Sequence, residues 1–276
     1  MMQLGVIRNM LTPASTASSP ARFMIAGMAT ASLRHFGCTQ CGKCCQGWRL
    51  RLGLEEAQAW ARRGHGVEIL LSGGLWPDQP PPEHSPAAEM LARCFRASAG
   101  GAEVAVHVTL VGAFGESCPN LRADKGCAIY AERPLVCRLY PVKPETGLQI
   151  DPLTRRCPPE AWAMPEREPE AVLPLLAEAR RRATAEVEAL ARLCRQLGLD
   201  RCALLAEGVV ACHIEAERFL AACGAAAPEA GTRQHFRLIS GNSETIAELG
   251  RLGVAHEVPP PAGGGLAFLP FGALAA

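Results

Sequence analysis

The chain has 276 residues, 49% of them hydrophobic and 20% charged, an ordinary globular composition that excludes general disorder. Lys plus Arg number 28 against 27 Asp plus Glu, so the formal net charge of +1 argues against a broad nucleic-acid footprint or binding to an anionic membrane. The outlying number is 13 Cys. An odd count forbids a fully paired disulfide framework, and the chain is far longer than the small secreted domains that need such staples. Cysteine usage this high points instead to metal or iron–sulfur ligation in a reducing, cytoplasmic compartment.

Residues 1–32 contain no Asp or Glu and gather Ser, Thr, Ala and Pro at 12–21. They read as a disordered leader or a mis-assigned start. No stretch of 18 residues is apolar enough to span a bilayer, so no membrane association is expected. After the cysteine-dense stretch 38–45, residues 48–52 alternate as a short strand, and 54–63 read as a helix closed by Gly64. Residues 77–86 (PDQPPPEHSP) form a loop, and 103–111 (EVAVHVTLV) a β-branched strand. A proline-rich stretch from 118 to 157 reads as turns and short pieces.

Beyond Pro165 the composition shifts to Ala, Leu, Glu and Arg. Leu176, Ala179, Ala183, Val187, Leu190, Cys194 and Leu197 recur at steps of three and four. So do Cys202, Leu205, Val209, Cys212, Ala216, Phe219 and Cys223, with 198–201 between the two stripes. The expectation is an antiparallel helical hairpin over 166–228. A short helix near 243–252 and a flexible Pro/Gly-rich tail over 259–276 complete the chain. The expected fold class is α+β. A loop-rich, metal-stapled cysteine-cluster domain with few short strands spans 33–165. The α-helical hairpin follows, and then the helix and tail of 229–276.

Cys38, Cys41, Cys44 and Cys45 spell C-x-x-C-x-x-C-C. A C-x-x-C turn aims two thiolates at one ion while nearby backbone N–H groups donate to the sulfurs, and Gly42 lets the chain wrap closely. A second group, Cys118, Cys127, Cys137 and Cys157, lies in irregular backbone where a metal can stand in for a core. Eight thiolates suit two tetrahedral sites or one larger cluster. Starting from +1, eight thiolates and two divalent ions leave the chain at −3, and Arg133, Arg138, Arg155 and Arg156 lie where they can offset thiolate charge. Cys194, Cys202, Cys212 and Cys223 sit on apolar stripes, spread too far along a helix to meet one ion, and read as core residues. Cys94 has no partner spacing.

Cys38-Thr-Gln-Cys41-Gly-Lys-Cys44-Cys45, followed by Cys118-Pro-Asn-Leu121, Cys127-Ala-Ile-Tyr130, Arg133-Pro134 and Cys137-Arg138-Leu-Tyr140-Pro141, resembles the CxxCxxCC zinc- or iron-chelating family (YkgJ-like cysteine-cluster proteins). The resemblance covers about 38–157 and implies cysteine-bound metal. Some relatives are described as flagellin lysine N-methylases. On the physical side, Arg133-Pro134 stiffens a turn, and Tyr130 and Tyr140 supply rings and hydroxyls beside a metal site.

Other motifs fail. Residues 37–44 approach a phosphate-binding Walker A loop but place Cys44 where Ser or Thr must bind magnesium. A ferredoxin run needs a fourth Cys three residues past the third, where Trp48 stands. No G-x-G-x-x-G follows a strand, and the seven His show no zinc-ligand pairing, although His35 lies near the cluster.

Three readings follow. The first is a chelator of zinc or iron, or of an iron–sulfur cluster, through up to eight thiolates, acting in metal handling, electron transfer or structural ligation. The second is a flagellin lysine N-methylase-like enzyme that binds S-adenosylmethionine. The third is a zinc-stapled module whose helices present a surface to an unknown protein partner. No residue carries a catalytic role on sequence grounds, and the first reading is preferred.

Overall fold

The computed structural model describes residues 35–47, 49–144, 148, 150–165, 169–225, 233–260 and 265–271. The expected leader 1–32 and parts of the tail lie outside the described residues. In chain order the strands are β1 Arg49–Leu52, β2 Val67–Leu75, β3 Cys94–Ala99, β4 Ala102–Ala113, β5 Arg201–Leu204, β6 Gly208–Ile214, β7 Arg237–Ile239, β8 His256–Glu257 and β9 Leu266–Pro270. The helices are α1 Leu54–Arg62, α2 Pro86–Leu91, α3 Leu135–Leu139, α4 Leu173–Ala185, α5 Val187–Leu197, α6 Ala216–Gly224 and α7 Ser243–Arg251. The chain divides into two compact units, each discontinuous in sequence. Among the described residues, one contains Leu54–Gly112 and the chain from Ala183 onward, and the other contains His35–Gly53 together with Ala113–Arg182.

The first unit is built on a mixed sheet. β2 pairs antiparallel with β4 from Glu68↔Val111 to Leu75↔Val104. Its opposite edge is shared, with Val67–Leu71 antiparallel to β6 and Ser72–Gly73 parallel to β5. β5, β7 and β8 continue in parallel, β3 lies on β4, and β9 lies on β6. Gly73 is required where the strands crowd. A Cβ there would come 2.6 Å from the Ala105 carbonyl oxygen and 3.0 Å from the Cys202 sulfur. α5 buries Val187, Leu190, Ala191, Leu193, Cys194 and Leu197 on one face. It stops at Gly198, whose left-handed backbone (φ 69°) lets Gly198 N–H and Leu199 N–H donate to the carbonyls of Arg195 and Cys194. Fully buried Phe219 anchors α6, a burial that contributes about 2–3 kcal/mol. Asn242 caps α7 by accepting from Glu244 N–H and Thr245 N–H at 2.9 and 3.0 Å.

Three expectations about this unit need correction. The second half of the hairpin expected over 166–228 is two strands and a helix. Gly208–Ile214 is apolar at nearly every position and buried throughout except at His213. Such a run satisfies a three-and-four stripe merely by being continuous, and its Val-Val pair and leading Gly belong to an interior strand. The first half is helical, but as α4 and α5. Strands are neither few nor uniformly short, since β2 has 9 residues and β4 has 12. The tail expected to be flexible contributes Leu266–Pro270 as a partner for β6. The expected helix near 243–252 is α7.

The second unit has a small core of Leu135, Leu139, Val142, Ile150 and Leu176, with Phe36, Trp162 and Val172 packed against it. Phe36 and Trp162 stack with ring centroids 4.9 Å apart. The proline-rich connections are held by short-range caps. Asp151 accepts from Leu153 N–H at 2.9 Å, and Arg155 Nε donates to the Pro141 carbonyl at 3.0 Å. With so few large apolar side chains, this unit has little hydrophobic burial to hold its turns.

Candidate metal centre

All eight cysteines of the two sequence groups fall in the second unit, and Cys94, Cys194, Cys202, Cys212 and Cys223 all fall in the first. Cys194 lies on α5, Cys223 on α6, and Cys94, Cys202 and Cys212 on strands. Four of these five are buried, Cys223 being half-buried. Burial pushes the Cys94 and Cys194 thiols up to about 12 and the Cys212 thiol up to about 11, so they remain neutral near pH 7.

The C-x-x-C-x-x-C-C segment is a tightly turned loop. Gln40 and Gly42 have φ of 53° and 72°, and Lys43–Cys45 form one 3-10 turn closed by Cys45 N–H donating to the Gly42 carbonyl at 3.0 Å. Gly42 is needed twice over. Its backbone is left-handed, and a Cβ would stand 3.1 Å from Leu121 Cδ1 and 3.3 Å from Lys125 Cβ.

The second group is brought onto this loop by main-chain hydrogen bonds. Cys118 N–H donates to the Cys45 carbonyl at 2.7 Å and Gly47 N–H to the Glu116 carbonyl at 3.1 Å, flanking a bridge between Gln46 and Ser117. The chain then folds back so that Leu121 bridges Cys127, and Asp124 accepts from Gly126 N–H at 2.9 Å. Cys137 lies on α3. Cys157 is held by its neighbours: Arg156 Nη1 donates to the Gln46 carbonyl at 2.6 Å and Arg156 N–H to the Tyr140 hydroxyl at 3.2 Å. Tyr140 in turn hydrogen-bonds the Cys157 sulfur.

The thiols act on one another. Cys45 hydrogen-bonds the Cys44 sulfur, which brings the Cys44 thiol down to about 7 against the opposing effect of burial, with help from Arg133. The same bond, followed by burial and the charges of Cys44, Cys118 and Cys137, holds the Cys45 thiol far above the ordinary range. Burial first, then Cys44, Cys118 and Cys127, pushes Cys137 up to about 12, with Arg133 opposing. Burial first, then Cys44, Cys41 and Cys38, raises Cys157 to about 11, while the Tyr140 hydrogen bond opposes. Burial also raises Cys118, although Asn120 donates to its sulfur from both backbone and side chain.

Among the described residues, no three His, Cys, Asp or Glu side chains stand close enough together to hold an ion as placed. Sulfur donors on loops and single turns are the donor type that zinc or iron takes. Thr39 Oγ1, inside the first C-x-x-C, is buried without a hydrogen-bond partner among the described residues, and a neighbouring thiolate would supply its acceptor.

Of the four arginines expected to offset thiolate charge, Arg133 acts on Cys44 and Cys137 while stacking 3.7 Å over the Tyr130 ring. Arg155 and Arg156 tie loops together through backbone carbonyls. His35 is exposed and pairs with the Met164 carbonyl at 3.1 Å. Sequence reasoning assigned no role to Asn120, which is 7% exposed and whose amide lies 4.0 Å from the Cys118 sulfur. Its place two residues past a cysteine was the available signal.

The eight thiols come from two distant chain segments that are joined by backbone hydrogen bonds, in a unit with a small apolar core. Residues 37–158 match the family model CxxCxxCC, described as a "putative zinc- or iron-chelating domain". The match spans less than half of the chain, and its middle portion, Leu54–Gly112, belongs to the sheet-bearing unit. No curated protein and no solved structure matches this chain.

Proposed function

We propose that this protein is a cytoplasmic chelator that holds zinc or iron through Cys38, Cys41, Cys44, Cys45, Cys118, Cys127, Cys137 and Cys157. The observation that carries this reading is the gathering of these eight thiols, and no others, in one weakly cored unit whose segments are joined by Cys118 N–H and the Cys45 carbonyl at 2.7 Å. Bound as thiolates, they give the ion soft donors, and the ion gives the turns the cohesion that the small core lacks. Thirteen unpaired cysteines support a reducing location. Among the described residues no helix is long and apolar enough to cross a membrane.

The deciding measurement is iron, zinc and acid-labile sulfide per chain after anaerobic purification, with the visible spectrum. Iron with matching sulfide and absorption near ~400 nm assigns an iron–sulfur cluster and an electron-transfer role. Zinc in a colourless protein assigns closed thiolate sites and a structural or metal-handling role. Neither metal, in protein from metal-replete anaerobic cells, refutes chelation.

A further inference from the structure

We propose that Thr39 is a positioning residue of the metal centre: its buried hydroxyl is the donor held for a metal-bound thiolate of its own C-x-x-C turn, and it raises the affinity of that turn for the ion. This inference rests on the chelating function proposed above. It adds a residue that the cysteine spacing does not single out.

The observation is a hydroxyl closed off from solvent with nothing to bond. Thr39 Oγ1 has no hydrogen-bond partner among the described residues. Threonine on irregular backbone ordinarily bonds its own turn. Thr154, in the same unit, does so by donating through Oγ1 to the Asp151 carbonyl at 2.8 Å. Thr39 makes no such bond, although the chain on both sides of it is pinned. Before it, Gly37 N–H donates to the Ala161 carbonyl at 2.8 Å and Met164 N–H to the His35 carbonyl at 2.9 Å. After it, Gln40 and Gly42 turn the chain through left-handed backbone, with φ of 53° and 72°. A buried polar group that a fold keeps unpaired calls for an acceptor that arrives with function.

The acceptor follows from what an ion does to sulfur. A protonated thiol is a weak acceptor, and metal binding removes its proton to leave a thiolate. Cys38 directly precedes Thr39, and Cys41 lies two residues beyond it. Gln40, the other polar residue between them, is exposed. Cys38 is also exposed, whereas Cys41 is half-buried as Thr39 is, which favours Cys41 as the acceptor. The second cysteine group already shows donors of this kind. Asn120 donates to the Cys118 sulfur, and the Tyr140 hydroxyl bonds the Cys157 sulfur. Such donors orient a ligating thiolate and spread its charge.

A donor that is paired only in the loaded state acts in opposite directions on the two states. Without the ion the buried hydroxyl is a cost, and with the ion it is a bond. Valine shares the branched Cβ of threonine and its χ1 preference, so Thr39→Val removes the hydroxyl while keeping the shape.

The test compares wild type, Thr39→Val and Thr39→Ser as full-length proteins. Zinc affinity is read by competition with a chromophoric chelator, the thiolate environment by the cobalt(II) spectrum, and the metal-free state by its denaturant midpoint. Thr39→Val should lower zinc affinity on the order of 10-fold. It should move the sulfur-to-cobalt charge-transfer band to longer wavelength, because a thiolate without a donor gives up charge more easily. Its metal-free midpoint should equal or exceed that of wild type. Thr39→Ser keeps the hydroxyl and should hold the affinity and the band near wild type. Unchanged affinity and an unmoved band in Thr39→Val overturn the inference. So does a metal-free midpoint that falls in Thr39→Val, since the hydroxyl then has a partner before the ion arrives. Equal loss of affinity in both variants overturns it in favour of packing. A wild-type chain that binds neither zinc nor cobalt refutes chelation itself, and is thereby distinguished from a wrong role for Thr39, where wild type binds and Thr39→Val matches it.

Discussion

The backbone N–H of Cys118 donates to the backbone carbonyl of Cys45 at 2.7 Å, a direct main-chain link between the two cysteine groups of the chain. It involves no side chain, so it does not require either thiol to donate or accept. The bond places the cysteine groups side by side before any ion is bound, which lowers the ordering cost that ion binding must offset. The loop that bears Cys45 is braced against the loop after Cys118 by the close approach of Gly42 to Leu121 and Lys125.

Gly42→Ala should therefore destabilise the cysteine unit even without metal. The left-handed φ costs about 1–2 kcal/mol for an L-residue, and the new Cβ must also push on Leu121 and Lys125. Chemical denaturation of the metal-free protein should show this loss. Gly42→Asn should recover part of the backbone cost, since Asn tolerates the left-handed region, but not the crowding. An unchanged denaturation midpoint in Gly42→Ala would contradict the close approach.

Asn120→Ala should weaken metal binding without unfolding the protein. Its amide donates to the Cys118 sulfur, and donors to a ligating thiolate spread its charge. Loss of such a contact should lower affinity on the order of 10-fold to 100-fold, read by competition with a chromophoric chelator. Equal affinity in the variant would assign Asn120 a packing role alone.

Tyr140→Phe keeps the ring and removes the hydroxyl that accepts from Arg156 N–H and bonds the Cys157 sulfur. The expected cost is about 1 kcal/mol in the stability of the metal-free protein. A slower reaction of Cys157 with a thiol reagent should accompany it, because the thiol loses a bond that favours its ionised form, mapped by peptide mass spectrometry. If labelling at Cys157 does not change, the hydroxyl does not act on that thiol.

How much of this was legible in the sequence depended on the kind of signal. The two cysteine groups stood out because chemistry was written in residue type and spacing, and both groups lie in one unit. The helix α1 and the stop at Gly198 were readable because their signals are local: acidic residues in the first turn, glycine past the last. The strands β5 and β6 were not. Val209, Val210, Ala211 and Cys212 are buried on both faces of a sheet, and such a run carries no period that separates strand from helix. Nor could spacing show that Leu54–Gly112, which lies between the two cysteine groups, folds with the chain after Ala183. That partition is set by the pairing of β2 with β4, β5 and β6, which is non-local. The role of Asn120 was hidden for a similar reason, since a buried amide beside a sulfur looks in sequence like any turn residue.

The buried thiols of the sheet-bearing unit make its stability fall in alkaline solution. Cys94 and Cys194 have folded values raised to about 12 and Cys212 to about 11, in each case chiefly by burial. An unfolded cysteine ionises near 8.5. Between those values the folded chain holds more protons than the unfolded chain, so stability decreases as pH rises. Below about pH 8 both states are protonated at these positions, and the thiols contribute no slope. By pH 10 each thiol should cost on the order of 1.5–2 kcal/mol relative to pH 7. Denaturant midpoints of the metal-free protein should be level with respect to these thiols from pH 6 to 8 and decline from 8.5 to 10. Cys194→Ala should be less stable at pH 7, because it leaves a small cavity in α5, yet should show a shallower decline. If the variant and wild type decline in parallel, Cys194 is not among the groups that titrate on unfolding.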